Sequence, residues 1–192
     1  PETSSQEQKL ESPILSDMSE VSDWAASSVK KAVSKGLFLG DENGRFNPKN
    51  SLTRAELAVL ILRFSKTEEK TPAEDISFTD ITSNDWYYSA VFNAFDSGFM
   101  SGFDSNTFSP NSTVTREQFA VVMARALNLE PAEDSNFDDE NEIADWALPS
   151  VTALVNSKIM VGSGNDFNPK DILTREICAT IMIRALDFIS AK

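Results

Sequence analysis

The chain has 192 residues, 30 acidic and 17 basic, giving a net charge of -13 with no histidine. A chain this acidic repels nucleic acid and anionic membrane surfaces, so both are set aside as partners. Apolar residues make up 41%, enough for a core, and no run approaches the roughly 18 apolar residues that a membrane span needs.

Residues 1–12 are polar and carry no signal-peptide pattern, so they are expected to form a frayed N-terminal tail on an excised or processed segment. Helical spacing then starts at Val21, Trp24, Ala25, Val29, Ala32 and Val33, with Ser22 or Asp23 as the cap and Gly36 as the stop. A polar loop follows from Gly40 to Asn50, anchored by Phe46 and punctuated by Pro48. A second helix begins after Thr53 and carries Leu57, Ala58, Leu60, Ile61 and Phe64. The same order returns as a helix over Trp86–Ser97, a loop and a helix over Arg116–Leu127. It returns once more as Trp146–Ser157, a loop and Arg175–Ile189. The connectors Ser65–Asp75 and Glu130–Glu142 are polar and both contain Pro-Ala-Glu-Asp, at 72–75 and 131–134. The lone Cys178 lies in an apolar run and reads as a buried thiol.

Three copies of one unit are therefore written in tandem. Their anchors are Asp23-Trp24, Gly40, Phe46-Asn47-Pro48 and Leu52-Thr53-Arg54; Asp85-Trp86, Gly102, Phe108-Ser109-Pro110 and Val114-Thr115-Arg116; and Asp145-Trp146, Gly162, Phe167-Asn168-Pro169 and Leu173-Thr174-Arg175. Trp and Gly are 16 residues apart in every copy, and Phe and Arg are 8 apart. Such a period sets the architecture. Six or seven positions before each Trp stands an Asp preceded by an apolar residue: Leu15 and Asp17, Phe78 and Asp80, Phe137 and Asp139. The second helices are apolar nearly all round, as in Ile177–Ile183, and so should be buried on most faces. Units of about 60 residues bury too little surface to stand alone, which favours one compact body with the second helices near its centre.

The start of each second helix carries the chemistry. Thr53 with Glu56, and Thr115 with Gln118, form capping boxes; Thr174 is followed by Ile177, so the third copy should keep the cap and lose the box. Arg54, Arg116 and Arg175 then place a cation at the positive end of a helix dipole, where it is disfavoured. Beside free backbone N–H groups, such an Arg suits a carboxylate or phosphate. The alternative is a structural partner, for example the Asp before each Trp. Trp24, Trp86 and Trp146 suit either core or a sugar platform, and their apolar neighbours make core the commoner role. Gly40, Gly102 and Gly162 mark either a turn with positive φ or a point where a ligand nears the backbone. Asp41-Glu42-Asn43-Gly44 opens like a calcium loop but has Leu52 where the last acidic ligand belongs, and the acidic run 138–140 reads as a solvated linker. No metal, cofactor or nucleophile motif is present in the sequence.

These motifs resemble the S-layer homology (SLH) family, whose Thr-Arg-Ala-Glu signature stands intact at 53–56 and in altered form at 115–118 and 174–177. The resemblance implies an all-α fold, mainly helical with structured loops. Three SLH repeats would pack as a pseudo-threefold, three-lobed module around a central three-helix bundle. The expected boundaries are a tail at 1–12 and repeats at 13–70, 71–131 and 132–192. It further implies a non-catalytic anchor on the outside of a Gram-positive-type bacterium. Such an anchor binds an anionic secondary cell-wall polysaccharide, through a pyruvylated N-acetylmannosamine terminus, in grooves between repeats. Arg54, Arg116 and Arg175 would meet the pyruvate. Trp24, Trp86, Trp146, Gly40, Gly102, Gly162, Asp41, Ser101 and Ser163 would line the grooves. Other surface-layer proteins are further candidate partners, with no cofactor, no nucleic acid and no membrane insertion expected. A self-assembly module of a surface layer and a cell-wall glycosidase are the competing readings. Because Ile177 departs from the family pattern and the loop Gly162–Phe167 is one residue short, the groove using Arg175 is expected to be altered.

Overall fold

The computed structural model describes residues 15–68, 70, 78–132 and 136–191. The expected tail at 1–12, the 72–75 stretch and residues 133–134 of its counterpart lie outside them. Among the described residues there are six α-helices: α1 (Asp23–Ser34), α2 (Arg54–Ser65), α3 (Tyr88–Asp96), α4 (Arg116–Ala126), α5 (Leu148–Asn156) and α6 (Arg175–Ser190). Short 3-10 turns at Met18–Glu20 and Glu140–Glu142 precede the first and third units. Extended pairing among the described residues is limited to isolated bridges, so the fold is all-α with structured loops.

Local chemistry explains most element boundaries. Thr53 and Thr115 form the expected capping boxes with Glu56 and Gln118. Thr174 makes no side-chain cap, and its buried hydroxyl has no partner among the described residues. The third copy has thus lost the cap as well as the box. The box is reciprocal, and Ile177 offers nothing to hold the threonine backbone in place. α3 and α5 start two residues later than expected, because Trp86 and Trp146 lie in turns closed by Tyr88 N–H to the Asp85 carbonyl and Ala147 N–H to the Ala144 carbonyl. Pro149 then sits in the first turn of α5, where its missing N–H costs nothing. Ser22 precedes α1 without capping it through its side chain. Gly36 and Gly98 end the first helices at φ 71° and 72°, and Lys158 takes the same left-handed role at φ 57° in the third copy.

Each loop is clamped by the Asp upstream of the Trp. Asp17 accepts from the N–H groups of Phe46 and Asn47, Asp80 from Phe108 and Ser109, and Asp139 from Phe167 and Asn168, all within 2.9 Å. The middle residue of each F-x-P, Asn47, Ser109 or Asn168, is left-handed at φ 56° or 57°. That turn drives each Phe fully into the core. Asp139 is therefore a structural clamp and no part of a solvated linker. Asp41 likewise serves its own loop, accepting from Asn43 N–H, Arg45 N–H and the Asn47 amide.

The three copies are stitched head to tail into a closed ring. Leu52 N–H donates to the Leu173 carbonyl, Leu173 N–H to Val114, and Val114 N–H to Leu52, at 2.9–3.0 Å. The helices are exchanged as well: α6 packs on α1, α2 on α3 and α4 on α5, while α2 also touches α4. A sequence repeat is therefore not a packing unit, since each second helix pairs with the first helix of the following copy. Two junctions carry a buried acid. Glu176, 5% exposed at its side chain, accepts from Ser22 N–H at 2.9 Å, the Ser22 hydroxyl at 3.0 Å and Lys49. Glu117 accepts from Ala144 N–H and Lys170. At the third junction the corresponding positions hold Ala55, Asn84 and Asn111.

Candidate glycan-binding grooves

Each motif Arg reaches out of its own copy onto the loop of the next. Arg54 donates through Nε to the Phe108 carbonyl and through Nη2 to the Ser101 carbonyl, both at 2.8 Å. Arg116 does the same with Phe167 and Val161 at 2.8 Å. Arg175 closes the cycle, binding Phe46 at 2.7 Å and Leu39 at 3.3 Å. The guanidinium carbons of Arg54 and Arg116 lie 4.6 Å from the centroids of Phe108 and Phe167, and that of Arg175 lies 5.2 Å from Phe46. Burial pushes Arg54 and Arg116 below the ordinary arginine range, with nearby Asp80 and Asp171 opposing it. Five donors are available on each guanidinium, and these bonds occupy two. Among the described residues Nη1 of Arg54 and of Arg116 has no hydrogen-bond partner, whereas Arg175 Nη1 is 2.9 Å from Glu56 Oε1.

The helix ends themselves are already used. The N–H groups of Arg54 and Ala55 donate to the Ser112 and Pro110 carbonyls, those of Arg116 and Glu117 to Asp171 and Pro169, and those of Arg175 and Glu176 to Asn50 and Pro48. The expected receptor of Arg plus free helix N–H groups therefore reduces to the guanidinium. Nor do the Asp residues before the Trp residues pair with these arginines; Asp85 turns back on Thr82.

The groove at Arg175 has a volume of about 300 Å³ and gathers residues of all three copies: Gly40, Asp41, Glu56 and Arg63 from the first, Trp86 from the second and Arg175 from the third. The cyclic order also moves the expected defect. The short loop Gly162–Phe167 is the one gripped by Arg116, and the counterpart of Glu56 in that groove is Ile177. Arg175 instead sits over the full-length loop of the first copy, so the altered groove is the one at Arg116.

The Trp residues are not core. Trp24, Trp86 and Trp146 are 58%, 69% and 58% exposed, while the next residues, Ala25, Tyr87 and Ala147, are buried. Trp86 shares its groove with Arg175, and the repeat relation places Trp146 with Arg54 and Trp24 with Arg116. Gly40, Gly102 and Gly162 have no positive φ. A Cβ would meet Leu15 at 2.6 Å in the first copy, and backbone oxygens of Asp104 and Asp166 at 2.4 Å in the others. Close backbone packing thus requires glycine at 102 and 162, whereas at Gly40, which also faces the groove, the obstacle is the movable end of Leu15. The Ser101 carbonyl is held by Arg54, and Ser163 N–H donates to the Asp166 carbonyl at 2.8 Å.

Arg63 was not singled out by the motif. It lines the groove as a second cation beside Arg175, and burial and the neighbouring Arg175 charge push it below the ordinary arginine range. An Arg nine positions after the motif Arg recurs as Arg63, Arg125 and Arg184, a periodic signal present in the sequence.

Residues 15–58, 77–120 and 136–176 each match the S-layer homology domain, and the chain belongs to that family. It is 30% identical over 182 residues to a surface-layer 125 kDa protein of Lysinibacillus sphaericus, covering 92% of this chain and 15% of that protein. It is similar at 29% identity to an exoglucanase, XynX, of Acetivibrio thermocellus, over 85% of this chain and 16% of the relative. A third relative is the S-layer protein sap of Bacillus anthracis, at 28% identity over 84% of this chain and 20% of that protein. The chain thus spans a fifth or less of the length of these relatives.

Proposed function

We propose that this chain is a non-catalytic, cell-wall-associated module that holds an extracellular protein on a bacterial surface. It does so by binding a secondary cell-wall polysaccharide through a pyruvylated N-acetylmannosamine terminus. The observation that carries the reading is the groove joining Arg175 and Arg63 to the exposed Trp86. A sugar acid needs a cation with spare donors for its carboxylate and a flat apolar face for its ring; with Arg175 Nη1 on Glu56, Arg63, bonded through Nη1 to the Leu37 carbonyl, brings the further donors and Trp86 the face. The matching relatives support the cell-surface setting, since two carry surface-layer names. The glucanase-named relative matches over 16% of its length. The shared segment is thus an anchor carried by proteins of different activity.

The guanidinium groups are held by carbonyls before any ligand arrives, so little side-chain freedom is lost on binding. The net charge of -13 does not oppose this. Salt screens distant acids beyond about 8–10 Å, while the arginines act at hydrogen-bond range. Calorimetric titration with synthetic pyruvylated N-acetylmannosamine, alongside the same sugar without pyruvate, tests the proposal. Binding of the pyruvylated form alone is expected; equal binding of both, or of neither, would refute it.

A further inference from the structure

A second cavity of about 450 Å³ adjoins the Arg175 groove, and Val59, Arg63 and Trp86 line both. Beyond Trp86 it is walled by Leu62, Lys66, Thr67 and Ala90, from the end of α2 and the start of α3. Two features set it apart from a simple widening of the groove. The indole of Trp86 is 69% exposed and stands on the boundary, so it offers surface to both sides. Lys66 leaves the end of α2 in the left-handed conformation, φ 54°, which turns the chain at the rim of this cavity.

We propose that this cavity is a second glycan subsite, taking the sugar rings that follow the terminal residue of the same polymer. The inference rests on the glycan reading of the Arg175 groove. The chemistry differs along the path. The Arg175 end offers guanidinium groups for a carboxylate, and the Lys66 end offers an ammonium for ring hydroxyls and acetamido oxygens. Lys66 is specific to this groove, because its counterparts in the other copies are Asn128 and Asp187. The preference for a longer chain therefore belongs to one groove of the three.

The three indole N–H signals in a nitrogen–proton correlation spectrum read the three grooves separately. The ligands are the methyl glycoside of pyruvylated N-acetylmannosamine and a trisaccharide ending in that residue and continuing with two N-acetylhexosamines. The Trp86 signal is expected to report about tenfold tighter binding of the trisaccharide, while Trp24 and Trp146 report no gain. Lys66→Gly keeps the left-handed backbone and removes the ammonium, and Ala90→Gln fills the cavity from the α3 side. Each is expected to return the trisaccharide to monosaccharide affinity and leave the monosaccharide unchanged. Equal affinity of the two ligands at Trp86, or a gain that survives both substitutions, would overturn the second subsite alone. No response of any indole to either ligand would overturn the glycan reading and this subsite with it.

Discussion

Replacing Glu176 by Ala removes the acid that ties the third copy to the first. The carboxylate is 5% exposed and accepts from Ser22 N–H, the Ser22 hydroxyl and Lys49. Hydrogen bonds to a charged group contribute about 1.5–3 kcal/mol, and the partly buried Ser22 N–H left behind carries a desolvation cost of its own. The Lys49 ammonium adds less, because its side chain is 56% exposed and solvent screens the pair. The expected loss is about 2–4 kcal/mol for Glu176→Ala and under about 1 kcal/mol for Lys49→Ala. At about 2–4 °C per kcal/mol for a chain of this size, Tm should fall by about 10 °C in the first variant. Urea unfolding of both single variants and the double variant is the assay, and the cycle isolates the pair. Glu176→Ala costing under about 1 kcal/mol, or no more than Lys49→Ala, would refute the clamp.

Burial alone would raise the Glu176 pKa, but bonds from Lys49 and Ser22 outweigh it and hold the carboxyl below its ordinary value of 4.5. The clamp is thus fully present above the unfolded value and lost as pH falls through the lower folded one, so wild type should lose stability more steeply than Glu176→Gln below about pH 4.5. Ala55→Glu alone should destabilise, since Ala55 is 2% exposed, by about 1–3 kcal/mol. Adding Asn111→Lys should recover much of that loss by rebuilding the missing clamp, which denaturant titration of the pair would show. Lys158→Gly should stabilise by up to about 1 kcal/mol in thermal unfolding, because a left-handed residue with a side chain is strained there. Among the motif arginines, Arg116→Ala should cost the least glycan affinity in titration, as its groove has the short loop and Ile177; equal losses in all three would contradict this.

Much of the fold was legible because the three copies constrain one another. Helix order, the buried Phe of each F-x-P, the stop at Gly36 and two capping boxes follow from local rules that involve residues close in sequence. The partners of the arginines were not legible. Arg175 binds a carbonyl 129 positions away, and no local pattern encodes which loop a ring closure brings to it. For that reason the effect of Ile177 falls on the neighbouring groove. The Trp residues misled because their apolar neighbours are buried while the indoles point out. Two signals were available in the sequence. Arg63, Arg125 and Arg184 recur at one spacing, and Glu176 with Lys49 and Glu117 with Lys170 vary together where Ala55 faces Asn111. The second pattern crosses copies, so it makes sense only once the head-to-tail ring is known.

The most direct test of the central claim is a titration of the whole chain with pyruvylated N-acetylmannosamine, followed through the three indole N–H signals. The account predicts saturable shifts of Trp86 and Trp146, a weaker response of Trp24 beside Arg116, and none with the depyruvylated sugar. Indole signals that stay fixed, or that move equally with both sugars, would contradict it.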